Sequence, residues 1–453
     1  MSTAVKAVPS VGETLVPPAP VTVKDTGLTP ESISDLVLKT LYVQGSRTGQ
    51  QLTDTLCLPF DVVDEQLVRL QERRFIEVLR TMGPSRGGYV FEVAGAGRDR
   101  AMAALEASQY VGAAPVTLNN YRAWIEAQSV RNLHIGRVRI REGFKHLVIN
   151  EHMLEQLGPA VNSASSLFLH GDPGNGKTVI AEAIAAMLGG DIYIPYAVDV
   201  EGQIMSLFDP VHHEPVEQPL EVAGGVGGPQ WLRQTHDHDR RYVRIKRPVV
   251  FVGGELALEQ LDLQYDTYTK MYQAPFQLKA AGGVLIIDDF GRQLVAPRDL
   301  LNRWIVPLEK RVDFLTLHTG IKFPVPFDCL LIFATNLNPE QLVDEAFLRR
   351  IQYKLNVVNP DRSQYDEIFR RECTRRGVAF DGRAIEHIYT KYYRGRGILP
   401  RCCHPRDILD HLEHAARYEE REMVLTPALL DQACESYFLV MAHQDVSRSS
   451  LEA

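Results

Sequence analysis

Cysteine is scarce: the 453 residues hold six, at Cys57, Cys329, Cys373, Cys402, Cys403 and Cys434. So few in so long a chain make no disulfide framework; they read as small buried hydrophobes in a reducing compartment. Long apolar runs are missing too. No stretch approaches the roughly 20 apolar residues of a membrane span. The opening MSTAVKAVPSVGETLVPP has neither a basic start nor an apolar signal core. The expectation is a cytoplasmic protein without a membrane partner. Positive charge is in deficit, 49 Lys and Arg against 57 Asp and Glu, for a net charge of -8. That excludes a chain that coats nucleic acid over its whole surface and leaves room only for a local basic patch. Hydrophobic residues, by contrast, make up 45% of the chain, enough for real cores in roughly three domains.

The text changes character along the chain. Residues 1–28 carry Pro9, Pro17, Pro18 and Pro20 with few large apolar side chains, so a disordered tail is expected. Thr29 then offers a helix cap ahead of Pro30, and Ile33, Leu36, Val37, Thr40 and Leu41 recur at helical spacing. A second helix spans Gly49 to Leu56. A third, from Phe60 to Arg74, places Val63, Leu67 and Leu70 on one face. FIEVLR and YVFEV, separated by GPSRGG, read as a hairpin. Three helices and a hairpin over 29–110 resemble a winged-helix α+β domain. DNA is the usual partner of such a domain, but Asp61, Asp64 and Glu65 open the third helix and would repel phosphates, against Arg69, Arg73, Arg74, Arg80 and Arg86. A protein-docking or oligomer-organising role is therefore favoured, with DNA contact the alternative. A helical linker, 111–130, carries the chain onward.

The densest chemistry lies at 171–178, GDPGNGKT: Gly171, Asp172, Pro173, Gly174, Asn175, Gly176, Lys177 and Thr178 satisfy G-x-x-x-x-G-K-[ST]. The pattern alone could be an accidental turn. Its setting argues otherwise, because the apolar strand SLFLH precedes it and the helical VIAEAIAAML follows, closed by Gly189 and Gly190. In that setting backbone N–H groups and a helix N-terminus hold phosphates, Lys177 adds a mobile cation, and the Thr178 hydroxyl suits magnesium. GGVLIIDDFGR supplies the complementary acids. Val284 to Ile287 form a continuous apolar run suited to a buried parallel strand, ending in Asp288 for the metal and Asp289 to polarise a water. A further strand, CLLIFATNLNP, ends in Ala334, Thr335 and Asn336.

The order of glycine loop, acid-tipped strand, strand ending in ATN and arginine pair in EAFLRRI resembles the AAA+ ATPases, P-loop proteins, over a stretch running from about Val130 to the C-terminus. The resemblance implies a three-layer parallel α/β core at 131–358 with an insertion around 197–250, a helical lid at 359–443 and a disordered tail at 444–453. It implies ATP and Mg2+ as cofactors and ATP hydrolysis as the activity. Asn336 matches the position that orients water near the terminal phosphate. Arg349 or Arg350 falls where a neighbouring subunit's arginine finger is found, and Arg406, in HPRDIL, matches the lid arginine that reaches the phosphates. A homo-oligomer, most often a hexameric ring, that remodels a protein partner is the implied assembly. The family usually has glutamate where Asp289 stands, and the carboxylate retreats by about 1.5 Å when one methylene is lost, so slow hydrolysis is expected. APFQLKAAGGVLIIDDF further resembles bacterial enhancer-binding activators, without a copy of their sigma-contacting loop motif.

Weaker signals surround these. AGGVGGPQW, with Trp231 at its end, reads as a flexible surface hairpin or, alternatively, as a mobile loop able to grip a polypeptide, and RRYVRIKRP alternates as an exposed strand does. His212, His213, His236 and His238, with Asp237 and Asp239, lack zinc spacing and read as solvated. Cys402, Cys403 and His404 read as a packed lid position. Two other functions stay open: a DNA-binding ATPase of transcription or replication acting through the winged helix, and a nucleotide-gated assembly scaffold with little turnover.

Overall fold

A computed structural model describes residues 15–216, 238–342 and 348–449. Five strands form one parallel sheet: β1 (Ser166–His170), β2 (Val249–Val252), β3 (Val284–Ile287), β4 (Leu330–Thr335) and β5 (Tyr353–Asn356), in the order β2-β3-β4-β1-β5. Every residue of β3 and β4 is buried, as a strand covered on both faces requires. β5 pairs with β1 in parallel, Tyr353 opposite Leu167 and Asn356 opposite His170. This is an α/β P-loop core. Strand order reverses direction at β1, and such a switch point opens a crevice at the strands' carboxyl ends.

The chain divides into two compact units, neither continuous in sequence. The first comprises residues 1–134, 188–286 and 293–331. Its N-terminal helices follow their caps. Thr29 accepts from the Ser32 N–H with Pro30 at the first helical position, and Thr48 and Gln51 form a capping box for Gly49–Leu56. Phe60–Glu72 follows, then antiparallel Ile76–Thr81 and Tyr89–Val93, all on one core that includes Ile33, Val37, Leu52, Val63, Leu67 and Phe91. A second core in the same unit gathers Tyr121 and Ile125 of helix Leu118–Ala127 with strands Ala197–Val200, Gln203–Ser206 and Tyr242–Lys246.

Three expectations need correction in this unit. The disordered tail does not extend to residue 28: Val23–Thr26 is helical, with a capping box between Thr22 and Asp25, and Val23 and Leu28 join the N-terminal core. The physical reason is Arg241, which is 2% exposed, pairs with Asp239 at 2.7 Å and donates to the Thr26 carbonyl at 2.9 Å. Two apolar anchors and a buried ion pair outweigh the entropy that prolines and small residues suggested. Strand Tyr242–Lys246 is not an exposed one, because Tyr242 and Ile245 are buried in its pairing with Asp191–Pro195. His213 is not solvated either: it is buried, its Nδ1 accepting from the Asp209 N–H at 2.9 Å and its Nε2 lying 2.8 Å from the Lys279 carbonyl. Trp231 with its glycines, His236 and Asp237 lie outside the described residues.

The second unit comprises residues 135–187, 287–292 and 332–453. It holds β1, the helix Lys177–Leu188 up to Met187, the ends of β3 and β4, β5 and four C-terminal helices. The first of these, Arg362–Arg376, starts at an Asp361–Gln364 capping box and stops at Gly377 with φ +70°. Tyr365, Phe369 and Cys373, spaced four apart, turn its one apolar face onto Ile385, Ile408, Leu412 and Leu430 of the others. The last helix, Pro427–Ser449, carries helical backbone into the stretch expected to be a tail.

Candidate nucleotide-binding site

All the sequence-derived site residues fall in the second unit. β1 runs into the glycine loop, where geometry rather than composition dictates glycine. Gly171 has φ +140°, and a Cβ there would stand 2.3 Å from the Val357 carbonyl oxygen, which belongs to the backbone and cannot yield. Gly174, φ +82°, would drive a Cβ to 2.5 Å from the Cys403 Sγ, whereas Gly176, φ +84°, faces open space. Such left-handed positions bend a loop around a small anion. The 12-residue helix Lys177–Leu188 then begins, and the N–H groups of its first turn have no intrahelical acceptors.

Lys177 is 8% exposed, and its ammonium donates to the carbonyls of Gly171 at 2.8 Å and Asp172 at 2.9 Å. Burial lowers its pKa from the ordinary lysine value; Asp288, Asp289 and Asp172 oppose the shift, and Arg401 adds to it. The Thr178 hydroxyl donates to Asp288 Oδ2 at 2.8 Å, while Asp288 Oδ1 accepts from the Asp289 N–H at 3.0 Å. Asp289 is exposed, with φ +48°.

The tips of β3 and β4 are tied together just beyond the acids. The Phe290 N–H donates to the Ala334 carbonyl at 2.7 Å, and the buried Thr335 hydroxyl donates to the Phe290 carbonyl at 2.6 Å. Asn336, half-buried, follows directly. An oxygen-only set of one hydroxyl and one carboxylate beside a phosphate-shaped loop suits Mg2+, which keeps waters and shares phosphate oxygens instead of demanding a full protein cage. Among the described residues no three His, Cys, Asp or Glu side chains cluster as a metal site. The glycine cradle, the helix terminus and the Thr178–Asp288 pair thus fit a magnesium nucleotide.

The arginines are placed less uniformly. Arg349 is exposed and Arg350 half-buried, the latter's carbonyl 3.5 Å from the Ser166 hydroxyl. Arg406 is exposed and its guanidinium is bound to the adjacent carboxylate of Asp407, Nε to Oδ1 at 2.9 Å. Asp407 also accepts from the Tyr437 hydroxyl at 3.0 Å.

A family described as "Domain of unknown function (DUF8689)" matches residues 361–436, the stretch of the C-terminal helices. No curated protein matches the chain. Among solved structures, the Thermotoga maritima RuvB Holliday junction branch migration motor is 16% identical, with 69% of this chain and 73% of that chain covered and a TM-score of 0.34. NtrX from Brucella abortus in complex with ADP is also 16% identical, with 74% and 65% covered and a TM-score of 0.37. The P-loop fold of this chain follows from its own strand order and glycine loop.

Sequence reasoning missed the groups that brace the loop. Asn359 donates to Asp172 Oδ2 at 2.8 Å and accepts from Asn175 Nδ2 at 2.7 Å. The Cys402 N–H donates to Asn175 Oδ1 at 3.3 Å and the Cys403 N–H to the Gly174 carbonyl at 2.8 Å. Residues 184 and more apart in sequence make these bonds, and no local pattern announces them. Thr335 is legible as part of the ATN strand end, but its bond to the Phe290 carbonyl, 45 residues away, is hidden for the same reason.

Proposed function

We propose that this chain binds MgATP at the glycine loop and hydrolyses it to ADP and phosphate. The observation that carries the reading is the bond between Thr178 and Asp288, at 2.8 Å across 110 residues of sequence. It supports a single metal-ready site assembled from the first turn of the loop helix and the tip of β3. In this reading the loop amides and Lys177 hold the phosphates. Thr178 and Asp288 hold Mg2+, whose contribution when bound is to neutralise charge on the outer phosphates. Asp289 takes a proton from the attacking water as oxygen joins the terminal phosphorus, and the bond to the ADP oxygen breaks. Asn336 orients that water, and Arg349 or Arg350 of a neighbouring copy offsets the growing charge. Calorimetric titration with MgATP and measurement of phosphate release test this. Uptake by the native chain and its loss in Lys177→Ala are expected; no heat with the native chain would remove the reading.

The assembly we propose is a ring of copies, six as the AAA+ resemblance implies, acting on a protein. The surface of the N-terminal helices and hairpin favours protein over DNA. Arg86 is paired with Asp64 at 2.9 Å and Arg69 with Glu65 at 2.9 Å, which removes two of the five basic groups from phosphate duty. The hairpin meanwhile exposes Leu79 at 51% and Met82 at 64%. Gel-shift titration over a range of salt should show no specific duplex binding; salt-sensitive binding would restore the DNA reading.

A further inference from the structure

Arg401 lies on the turn that closes over the glycine loop, and nothing described so far gives its charge a task. The turn is firmly held. The Cys402 and Cys403 N–H groups bind Asn175 Oδ1 and the Gly174 carbonyl at 3.3 and 2.8 Å. The Arg401 N–H donates to Nδ1 of the fully buried His404 at 3.3 Å, which also lies 2.9 Å from the Tyr393 hydroxyl. From this anchor the side chain leads toward the loop, its Cδ 3.7 Å from where a Cβ on Gly174 would stand. Its charge reaches the Lys177 ammonium and helps to depress it.

Two cations therefore converge on one loop. Among the described residues no carboxylate forms an ion pair with Arg401, whereas Arg406 is bound by Asp407 at 2.8 Å. Asp288, Asp289 and Asp172 offset the charge of Lys177, whereas Arg401 brings its charge to the same loop without such a pair, and a guanidinium suits phosphate oxygens because its planar fork bonds two at once. We propose that Arg401 binds the outer phosphates of the nucleotide in the glycine loop of its own subunit, the task that family resemblance alone would give to Arg406. The proposal rests on the ATP reading and sharpens it.

The test is fluorescence titration of the full chain with MgATP at several salt concentrations. Arg401→Ala weakens MgATP binding by about tenfold or more, the loss expected for a charged hydrogen bond. Arg401→Lys recovers part of it, and the affinity of the alanine variant depends less steeply on salt, which a packing defect would not produce. Arg394→Ala, whose side chain is 73% exposed, is the control for general charge loss and binds as the native chain does. Binding by Arg401→Ala within about twofold of native would overturn the assignment. So would equal losses in the alanine and lysine variants with an unchanged salt slope. A native chain that takes up no MgATP brings down the ATP reading itself, a result distinct from either.

Discussion

The Thr178 hydroxyl and the Asp288 carboxylate are 2.8 Å apart, joining the first turn of the loop helix to the tip of β3. In the MgATP reading proposed above both groups hold Mg2+, so removing either should change metal dependence more than folding. Thr178→Ala should raise the magnesium concentration for half-maximal phosphate release and lower kcat, by roughly tenfold or more. Its thermal midpoint should move little. An unchanged magnesium profile would show that the hydroxyl serves only to orient Asp288.

Glycines of the loop should differ in cost for reasons visible in their surroundings. At Gly171 a methyl group meets the Val357 carbonyl at 2.3 Å, and the backbone sits at φ +140°. Gly171→Ala is expected to destabilise by at least about 2 kcal/mol and to abolish nucleotide binding. Gly176→Ala meets nothing within 4 Å, so only the strain of a left-handed alanine, about 1–2 kcal/mol, applies. Urea denaturation of the two variants checks the order; equal losses would show that the close approach of Val357 does not hold.

Arg241 and Asp239 illustrate a buried pair whose halves depend on each other, 2% and 4% exposed as side chains. Arg241→Ala leaves an uncompensated carboxylate and frees the Thr26 carbonyl that anchors residues 23–28. A loss of about 3–5 kcal/mol in urea unfolding is expected, together with faster amide exchange in Val23–Leu28. A variant with native exchange there would separate the N-terminal segment from this pair.

Much of this architecture could be read from residues alone, and the rest could not, for identifiable reasons. Strands β1, β3 and β4 are short apolar runs ending in chemistry, and burial on both faces makes such runs conspicuous. Thr29 and Pro30 marked a helix start because capping is a local interaction. What stayed hidden depends on distant partners. Val23 and Leu28 are ordered by Arg241, more than 200 residues away, and His213 is buried because the Lys279 carbonyl meets it. Arg406 was the arginine that a motif could point to. Arg401, five positions earlier, is distinguished only by the turn that Gly174 and Asn175 hold.

His404 gives the C-terminal helices a pH dependence with a definite sign. Burial, aided by the charge of Arg401 and opposed by Asp407, lowers its pKa from 6.5 to about 4. Below about 6.5 the unfolded chain takes up a proton that the native ring refuses, so stability is full above that value and falls as pH drops toward about 4. The loss over that window is on the order of 3 kcal/mol. Urea midpoints at pH 7.5, 5.5 and 4.5 should decline in the native chain and flatten in His404→Phe. A native profile as flat as the variant's would place the acid sensitivity elsewhere.

Asp289 provides the last and sharpest check on the proposed chemistry. Its carboxylate stands one methylene shorter than a glutamate, a reach of about 1.5 Å, on a backbone turned to φ +48°. If Asp289 is the base, reach limits the rate. Asp289→Glu should raise kcat, by roughly several-fold, although glutamate tolerates the left-handed backbone less well and the thermal midpoint should fall by the equivalent of about 1 kcal/mol. Asp289→Asn keeps the shape and removes the proton acceptor, so MgATP binding persists while phosphate release drops by about 100-fold or more. Single-turnover assays on both variants decide the matter. Turnover by the asparagine form at the native rate would mean that another group activates the water, and Asp289 would then be an acid that only completes the turn beside Asp288.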